Sequence, residues 1–188
     1  MSGQGQHVVI LGAGHAGGTA AALLRQYGHE GPITLIGEEP IPPYQRPPLS
    51  KAWLKGEADA DSLALKPQEW YAEANVALRL QGVATSLNRG DRTVTLASGE
   101  VISYDFLILA TGARARELPI PGADLAGVLA LRTAADAEGL KAALGPGKRL
   151  AVVGGGYVGL EAAASARALG AEATVIERES RVLARVAC

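Results

Sequence analysis

Short unbroken apolar runs, rather than alternating ones, set the pattern of this chain. Residues 7–11 (His-Val-Val-Ile-Leu), 33–36 and 106–110 each read as a buried strand, the signature of a parallel sheet covered on both faces, and 150–153 reads as a further strand. The first and last of these runs lead into a glycine-rich turn and then an Ala- and Leu-rich stretch, predicting helices over 16–27 and 157–169. Gly28 ends the first helix, and Gly31-Pro32 breaks the chain before the strand at 33–36. The second helix leads to a strand at 174–177, so the strand–helix–strand unit occurs twice.

Between the two units the pattern changes. Pro40, Pro42, Pro43, Pro47 and Pro48 make 38–48 a loop, followed by a short helix over 49–54 with Ser50 as a possible cap. A helix is expected from Pro67 and a third strand over 76–80. Short strands over 83–87, 93–96 and 101–102, divided by Asn88-Arg89-Gly90-Asp91 and Ser98-Gly99, read as an antiparallel meander. The glycines and prolines of 112–130 mark a crossing segment. Residues 1–115 are therefore assigned to one domain and 116–188 to a second. Thr133 and Asp136 have capping-box spacing before an Ala-rich helix. The fold class expected is α/β: Rossmann-like, a parallel sheet with an antiparallel meander and two nucleotide-binding units. The second unit offers only two strands, fewer than a stable parallel sheet needs, so the chain is expected to be a truncated product or fragment.

Composition adds exclusions. The 188 residues are 48% hydrophobic but only 4% aromatic, suited to helices packed closely on a sheet. The formal net charge is −1 and Lys and Arg form no block, which argues against nucleic acid or an anionic membrane as partner. No apolar run approaches the length of a bilayer span, and the first residues lack a basic region, so no signal peptide is expected. The single cysteine, Cys188, excludes a disulfide framework and a cysteine-rich metal site; no metal is expected, and the setting reads as cytoplasmic.

The chemistry lies in two fingerprints, Gly12-Ala13-Gly14-His15-Ala16-Gly17 and Gly154-Gly155-Gly156-Tyr157-Val158-Gly159. In each, the first glycine permits a tight turn, the second lets backbone approach a pyrophosphate, and the third lets helix and strand pack closely. Free N–H groups and the positive end of the helix dipole then face the phosphates. Glu38 and Glu177, at the ends of the following strands, are placed to accept hydrogen bonds from ribose hydroxyls. Glu177 disfavours a 2′-phosphate and so favours NAD over NADP, while the neighbouring Arg178 works the other way. On sequence alone Arg46 and Lys51 read as surface charges.

Five segments carry a wider resemblance: Val8-Val9-Ile10-Leu11-Gly12-Ala13-Gly14, Arg46-Pro47-Pro48-Leu49-Ser50-Lys51, Tyr104-Asp105 leading to Ala110-Thr111-Gly112-Ala113-Arg114, Leu131-Arg132-Thr133, and Val153 through Glu161. In these the chain resembles the FAD-dependent ferredoxin reductases of bacterial oxygenase systems, the family of putidaredoxin reductase and of aromatic-ring dioxygenase reductase components. The resemblance implies FAD at the first fingerprint and NADH at the second, in a NAD domain inserted into the FAD domain. It places Ala16 at the FAD pyrophosphate, Glu38 at its ribose, Ala84 at the adenine end through its backbone, and Thr111-Gly112 along the cofactor. Arg46 joins the cofactor-binding residues, Arg132 falls at the domain junction, and Tyr157 near the nicotinamide.

The resemblance also puts Lys51 beside the flavin ring, where an ammonium stabilises the negative charge that arriving hydride brings, and predicts a Lys51–Glu161 contact. Lys51 and Glu161 are thus the catalytic candidates. No cysteine lies between Glu38 and Lys51, where flavin disulfide reductases carry a pair, so electrons are expected to leave singly for a [2Fe–2S] ferredoxin. The alternatives are an inactive dinucleotide-binding remnant, or a flavoprotein of the rubredoxin reductase or apoptosis-inducing-factor type.

Overall fold

A computed structural model of the chain describes residues 5–184; Cys188 lies outside the described residues. The described residues form two compact units. The first contains the chain up to Gln45 together with Leu63–Ala113, and the second contains Arg46–Ser62 together with the chain from Arg114 onward.

The first unit is built on a four-stranded parallel sheet of β1 (Val8–Leu11), β2 (Ile33–Gly37), β3 (Val76–Leu80) and β7 (Phe106–Leu109), in the order β3-β2-β1-β7. Helix α1 (His15–Gln26) makes the crossover from β1 to β2. The unbroken apolar run of β1 is explained by what covers each face. Val8 and Ile10 join Ile33, Leu35 and Val76 in a core closed by Ala21 of α1 and by Tyr71 of α4 (Gln68–Glu73). Val9 and Leu11 point the other way, into a core with Ile36, Val94, Leu96 and Ile102. The second face is therefore covered by the antiparallel meander of β4 (Ala84–Asn88), β5 (Thr93–Leu96) and β6 (Val101–Ser103), rather than by helices.

The segment 46–62 leaves and re-enters the first unit through a narrow base. Tyr44 bridges Ala64, the Gln45 N–H donates to Leu63 at 2.8 Å, and the Leu65 N–H donates to Pro43 at 3.0 Å. Although contiguous in sequence with the first unit, 46–62 packs within the second. There it forms a 3₁₀ turn over Pro47–Ser50 and α2 (Ala52–Lys55), and α3 (Ala60–Leu63) ends at the first residue of the returning first-unit segment. Leu54 of α2 is fully buried against Leu140 of α5 (Ala134–Ala143) and Ala162 of α6 (Tyr157–Ala168). By sequence position alone 46–62 groups with residues 1–115.

The remainder of the second unit is a parallel pair, β8 (Arg149–Val153) and β9 (Glu172–Ile176), crossed over by α6. The capping box ahead of α5 is present: Thr133 accepts from the Asp136 N–H at 3.1 Å, and the Asp136 carboxylate accepts from the Thr133 N–H at 2.8 Å. Two local expectations are corrected. Pro67 precedes α4 as its capping residue instead of opening the helix. Ser50 caps nothing; α2 follows Lys51 without a side-chain cap, and the serine hydroxyl is committed elsewhere.

Candidate functional site: two glycine cradles and an ion pair

The two fingerprints share one geometry. Gly12 has φ +111° and Gly154 φ +105°, backbone that side chains rarely adopt, and each ends a strand by turning into a helix. Gly17 and Gly159 sit one helical turn in. A methyl group on Gly17 would overlap the carbonyl oxygen of Gly12 and lie 3.2 Å from Leu35; one on Gly159 would overlap the Gly154 carbonyl oxygen. These contacts hold each helix close to its strand. At Gly14 and Gly156, by contrast, a methyl group would meet nothing within 4 Å. Both are helix N-caps, and glycine has no side chain of its own to occupy the helix N–H groups. The result is an open space in front of N–H donors and a positive helix end, the arrangement a pyrophosphate requires.

Around the first cradle the fold assembles most of the residues expected there. Ala16 is exposed in the first turn of α1, and Glu38 is exposed just past β2. Ala110 and Thr111 lie directly against Gly12, whose methyl would overlap the Ala110 carbonyl. Gly112 continues that strand end with φ +69°. Ala84 is exposed at a bulge on β4, the outer strand of the meander. One residue escaped sequence reasoning: Gly37, where a methyl would overlap Ala13 of the fingerprint. A glycine directly before the acid Glu38 was the available signal.

In the second unit Glu177 turns back to its own fingerprint. One carboxylate oxygen accepts the Gly155 N–H at 2.6 Å and the other the Glu179 N–H at 2.9 Å. Arg178 is paired with Glu179 at 3.1 Å.

The remaining predicted residues, Arg46, Lys51, Arg132, Tyr157 and Glu161, line a cleft of about 280 Å³ within the second unit. Lys51 Nζ lies 2.8 Å from one carboxylate oxygen of Glu161 and donates at 3.3 Å to the Pro47 carbonyl. The other Glu161 oxygen accepts the Ser50 hydroxyl at 2.5 Å. Hydrogen bonds from Lys51 and then Ser50 hold the Glu161 carboxyl below its ordinary value, against a small opposing effect of burial. Arg46 donates to the Arg132 carbonyl at 2.6 Å, tying the 46–51 turn to the segment entering α5. Tyr157 opens α6 with 57% of its surface exposed at the cleft. Sequence reasoning missed the role of Ser50 and passed over Ser165, whose buried hydroxyl donates to the Ser50 carbonyl at 2.7 Å.

Among the described residues no group of three or more His, Cys, Asp or Glu side chains is gathered to hold a metal. No helix among them is long and apolar enough to cross a membrane.

Comparison with known proteins follows the same lines. The chain is 54% identical over 182 residues to a probable ferredoxin reductase, CtmF, of Castellaniella defragrans, a match covering 97% of this chain and 44% of that protein. It is 45% identical over 179 residues to a rubredoxin-NAD(+) reductase of Pseudomonas putida, covering 95% and 46%. Among solved structures, the ferredoxin reductase for the CYP199A2 system from Rhodopseudomonas palustris superposes with a TM-score of 0.92 at 45% identity, covering 97% of this chain and 45% of that one. The chain thus spans a little under half the length of these relatives. A single family model runs through both cradles, from residue 6 to residue 187, and by it the chain belongs to the pyridine nucleotide-disulphide oxidoreductase family.

Proposed function

We propose that this chain carries the dinucleotide-binding machinery of an NADH-dependent flavoprotein reductase whose electrons pass to a [2Fe–2S] ferredoxin of an oxygenase system. The observation that carries this reading is the repetition of one cradle geometry at Gly12-Gly14-Gly17 and Gly154-Gly156-Gly159. A chain with two pyrophosphate cradles is suited to passing electrons between two dinucleotides. The first cradle fits FAD, with Ala16 and the α1 N-terminus at the pyrophosphate, Glu38 at the ribose, and Thr111 and Gly112 along the cofactor. Ala84 is assigned to the adenine end on resemblance alone. The second cradle fits NADH, with Glu177 as its acid and Tyr157 at the nicotinamide end.

Bound FAD supplies the hydride acceptor and the means of releasing electrons singly. The protein's own contribution is positional and electrostatic. In this reading Lys51 presents its ammonium where negative charge develops, and Glu161 keeps that ammonium oriented. Arg46 and Arg132 hold the turn that carries Lys51. A single cysteine in the whole sequence supports electron delivery outward rather than to a local disulfide, and a reducing, cytoplasmic setting.

The deciding experiment is an absorbance spectrum of the purified chain after reconstitution with FAD, followed by anaerobic titration with NADH. Flavin bands that bleach on NADH addition are expected. No retained flavin would sink the reductase reading for this chain and leave the second one, a dinucleotide-binding remnant without activity. The 45% identical rubredoxin-NAD(+) reductase makes rubredoxin the alternative acceptor. Comparing NADH-driven reduction of a [2Fe–2S] ferredoxin, rubredoxin and oxygen separates the first reading from a rubredoxin reductase or an apoptosis-inducing-factor-like flavoprotein.

A further inference from the structure

We infer that Ser165 and Ser50 are positioning residues that set the geometry of the Lys51–Glu161 ion pair. Ser165 and Glu161 are one turn apart on the same face of α6, and both reach the turn that ends at Ser50. Ser50 is held at two points. Its carbonyl accepts the Ser165 hydroxyl at 2.7 Å, and its own hydroxyl donates to Glu161 at 2.5 Å.

Both serines are almost fully buried, at 5% and 4% exposure, in the midst of an otherwise Ala-rich helix and a Pro-Pro-Leu turn. Alanine would pack equally well at such sites, so hydroxyls that each find a partner there specify a geometry instead of filling space. The consequence falls on Glu161. With one oxygen fixed by Ser50, the other faces Lys51 Nζ at 2.8 Å, and Lys51, the next residue after Ser50, is carried by the same anchored backbone. A long lysine that is half exposed would otherwise sample many rotamers.

The positioning is a property of the ligand-free chain; its consequence for hydride transfer rests on the proposed function. The two are tested separately. Glu161 is isotopically labelled in the full chain, its carboxyl resonance identified with Glu161→Gln, and its titration followed by NMR. The other charged or titratable groups at the cleft are Arg46, Lys51, Arg132 and Tyr157.

Ser50→Ala and Ser165→Ala are each expected to raise the Glu161 midpoint by roughly half a pH unit or more. Ser50→Thr and Ser165→Thr, which keep a hydroxyl, return it toward the unsubstituted value. A Ser165→Ala chain that melts earlier while its Glu161 midpoint stays put overturns the inference, because Ser165 then only packs. If circular dichroism shows that Ser165→Ala does not fold, the Ser50 pair decides, and an unmoved midpoint in Ser50→Ala overturns it equally. NADH binding to the unsubstituted chain, read by quenching of its fluorescence, tests the functional reading alone. Absence of binding with serine-dependent titration would leave the positioning standing and remove the function assigned to it.

Discussion

Gly17 lies against the carbonyl of Gly12 with no room for a methyl group, while Gly14, two residues beyond Gly12, faces open space. Two glycines of one motif therefore do different work, one in the fold and one toward a ligand. Gly17→Ala is expected to push α1 away from β1, destabilising the chain by about 1–3 kcal/mol. Gly14→Ala has φ −88° to accommodate it and nothing to clash with, so its stability should stay within about 0.5 kcal/mol of the unsubstituted chain. Its methyl would occupy the pyrophosphate approach, weakening FAD binding by at least about tenfold. Urea unfolding and flavin titration on the two variants check this. A Gly14→Ala chain that retains flavin normally would count against the cradle.

The Lys51–Glu161 pair should leave a pH signature. The folded-state carboxyl of Glu161 is depressed, first by the Lys51 hydrogen bond and then by that of Ser50. Its contribution is therefore complete above the ordinary carboxylate value of 4.5 and disappears as pH falls through the lower, folded-state value. Because Lys51 is 50% exposed and Glu161 30%, solvent screens the pair, and about 0.2–1 kcal/mol is expected. Glu161→Gln should be less stable than the unsubstituted chain by that amount at neutral pH, with the gap closing under acid. A gap that persists at pH values where Glu161 is protonated would assign the loss to packing.

What was legible in the sequence was local. Apolar runs located the strands of the parallel sheets to within a residue, and β1 and β2 are buried at every position, as a strand covered on both faces must be. β7, expected to be buried, instead exposes Phe106 and Leu109, and no position of β8 is fully buried. The exception in extent was β9, which begins at Glu172 where 174 was expected. Thr133 and Asp136 declared their capping box through a spacing of three. The placement of 46–62 in the second unit was not legible, since it depends on Leu54 meeting Leu140 and Ala162, residues far along the chain with no pattern that names their partner. Ser50 and Ser165 were unreadable for the same reason. A serine before a short helix looks like a cap, and a serine in an Ala-rich helix looks neutral, until the backbone brings their oxygens together.

Glu177 offers a test of nucleotide choice. Both its oxygens are engaged by backbone N–H groups, Gly155 at 2.6 Å and Glu179 at 2.9 Å, so its charge is fixed at the mouth of the second cradle. Removing it in Glu177→Ala should weaken NADH binding by about tenfold and narrow the preference over NADPH, since the repulsion of a 2′-phosphate goes with it. Arg178, the next residue along and paired with Glu179 at 3.1 Å, is then a cation available to meet that phosphate. Binding of NADH and NADPH, measured by fluorescence on both chains, decides. An unchanged ratio would move the specificity elsewhere, and Gly159→Ala, which overlaps the Gly154 carbonyl, should impair both nucleotides alike.

Arg25 supports the first unit from outside any cradle. Its guanidinium donates to four carbonyls: Ala74 at 2.6 Å and Asn75 at 2.9 Å after α4, and His29 at 2.5 Å and Gly31 at 2.8 Å after α1. Partial burial lowers its pKa, yet an arginine stays charged throughout the accessible range. The planar fork binds the two helix ends together beside the sheet edge formed by β3, and it favours the negative end of the α1 dipole. Arg25→Met keeps the aliphatic stem but orphans those carbonyls, and should destabilise the chain by about 1–3 kcal/mol. Arg25→Lys, a point charge with no fork, should recover only part of that loss. Flavin affinity at temperatures where the variants remain folded should be unchanged, because Gly12, Gly14 and Gly17 lie at the opposite end of α1. Urea midpoints set beside flavin dissociation constants separate the two effects, and a loss of flavin affinity without a loss of stability would show that the clamp shapes the cradle itself.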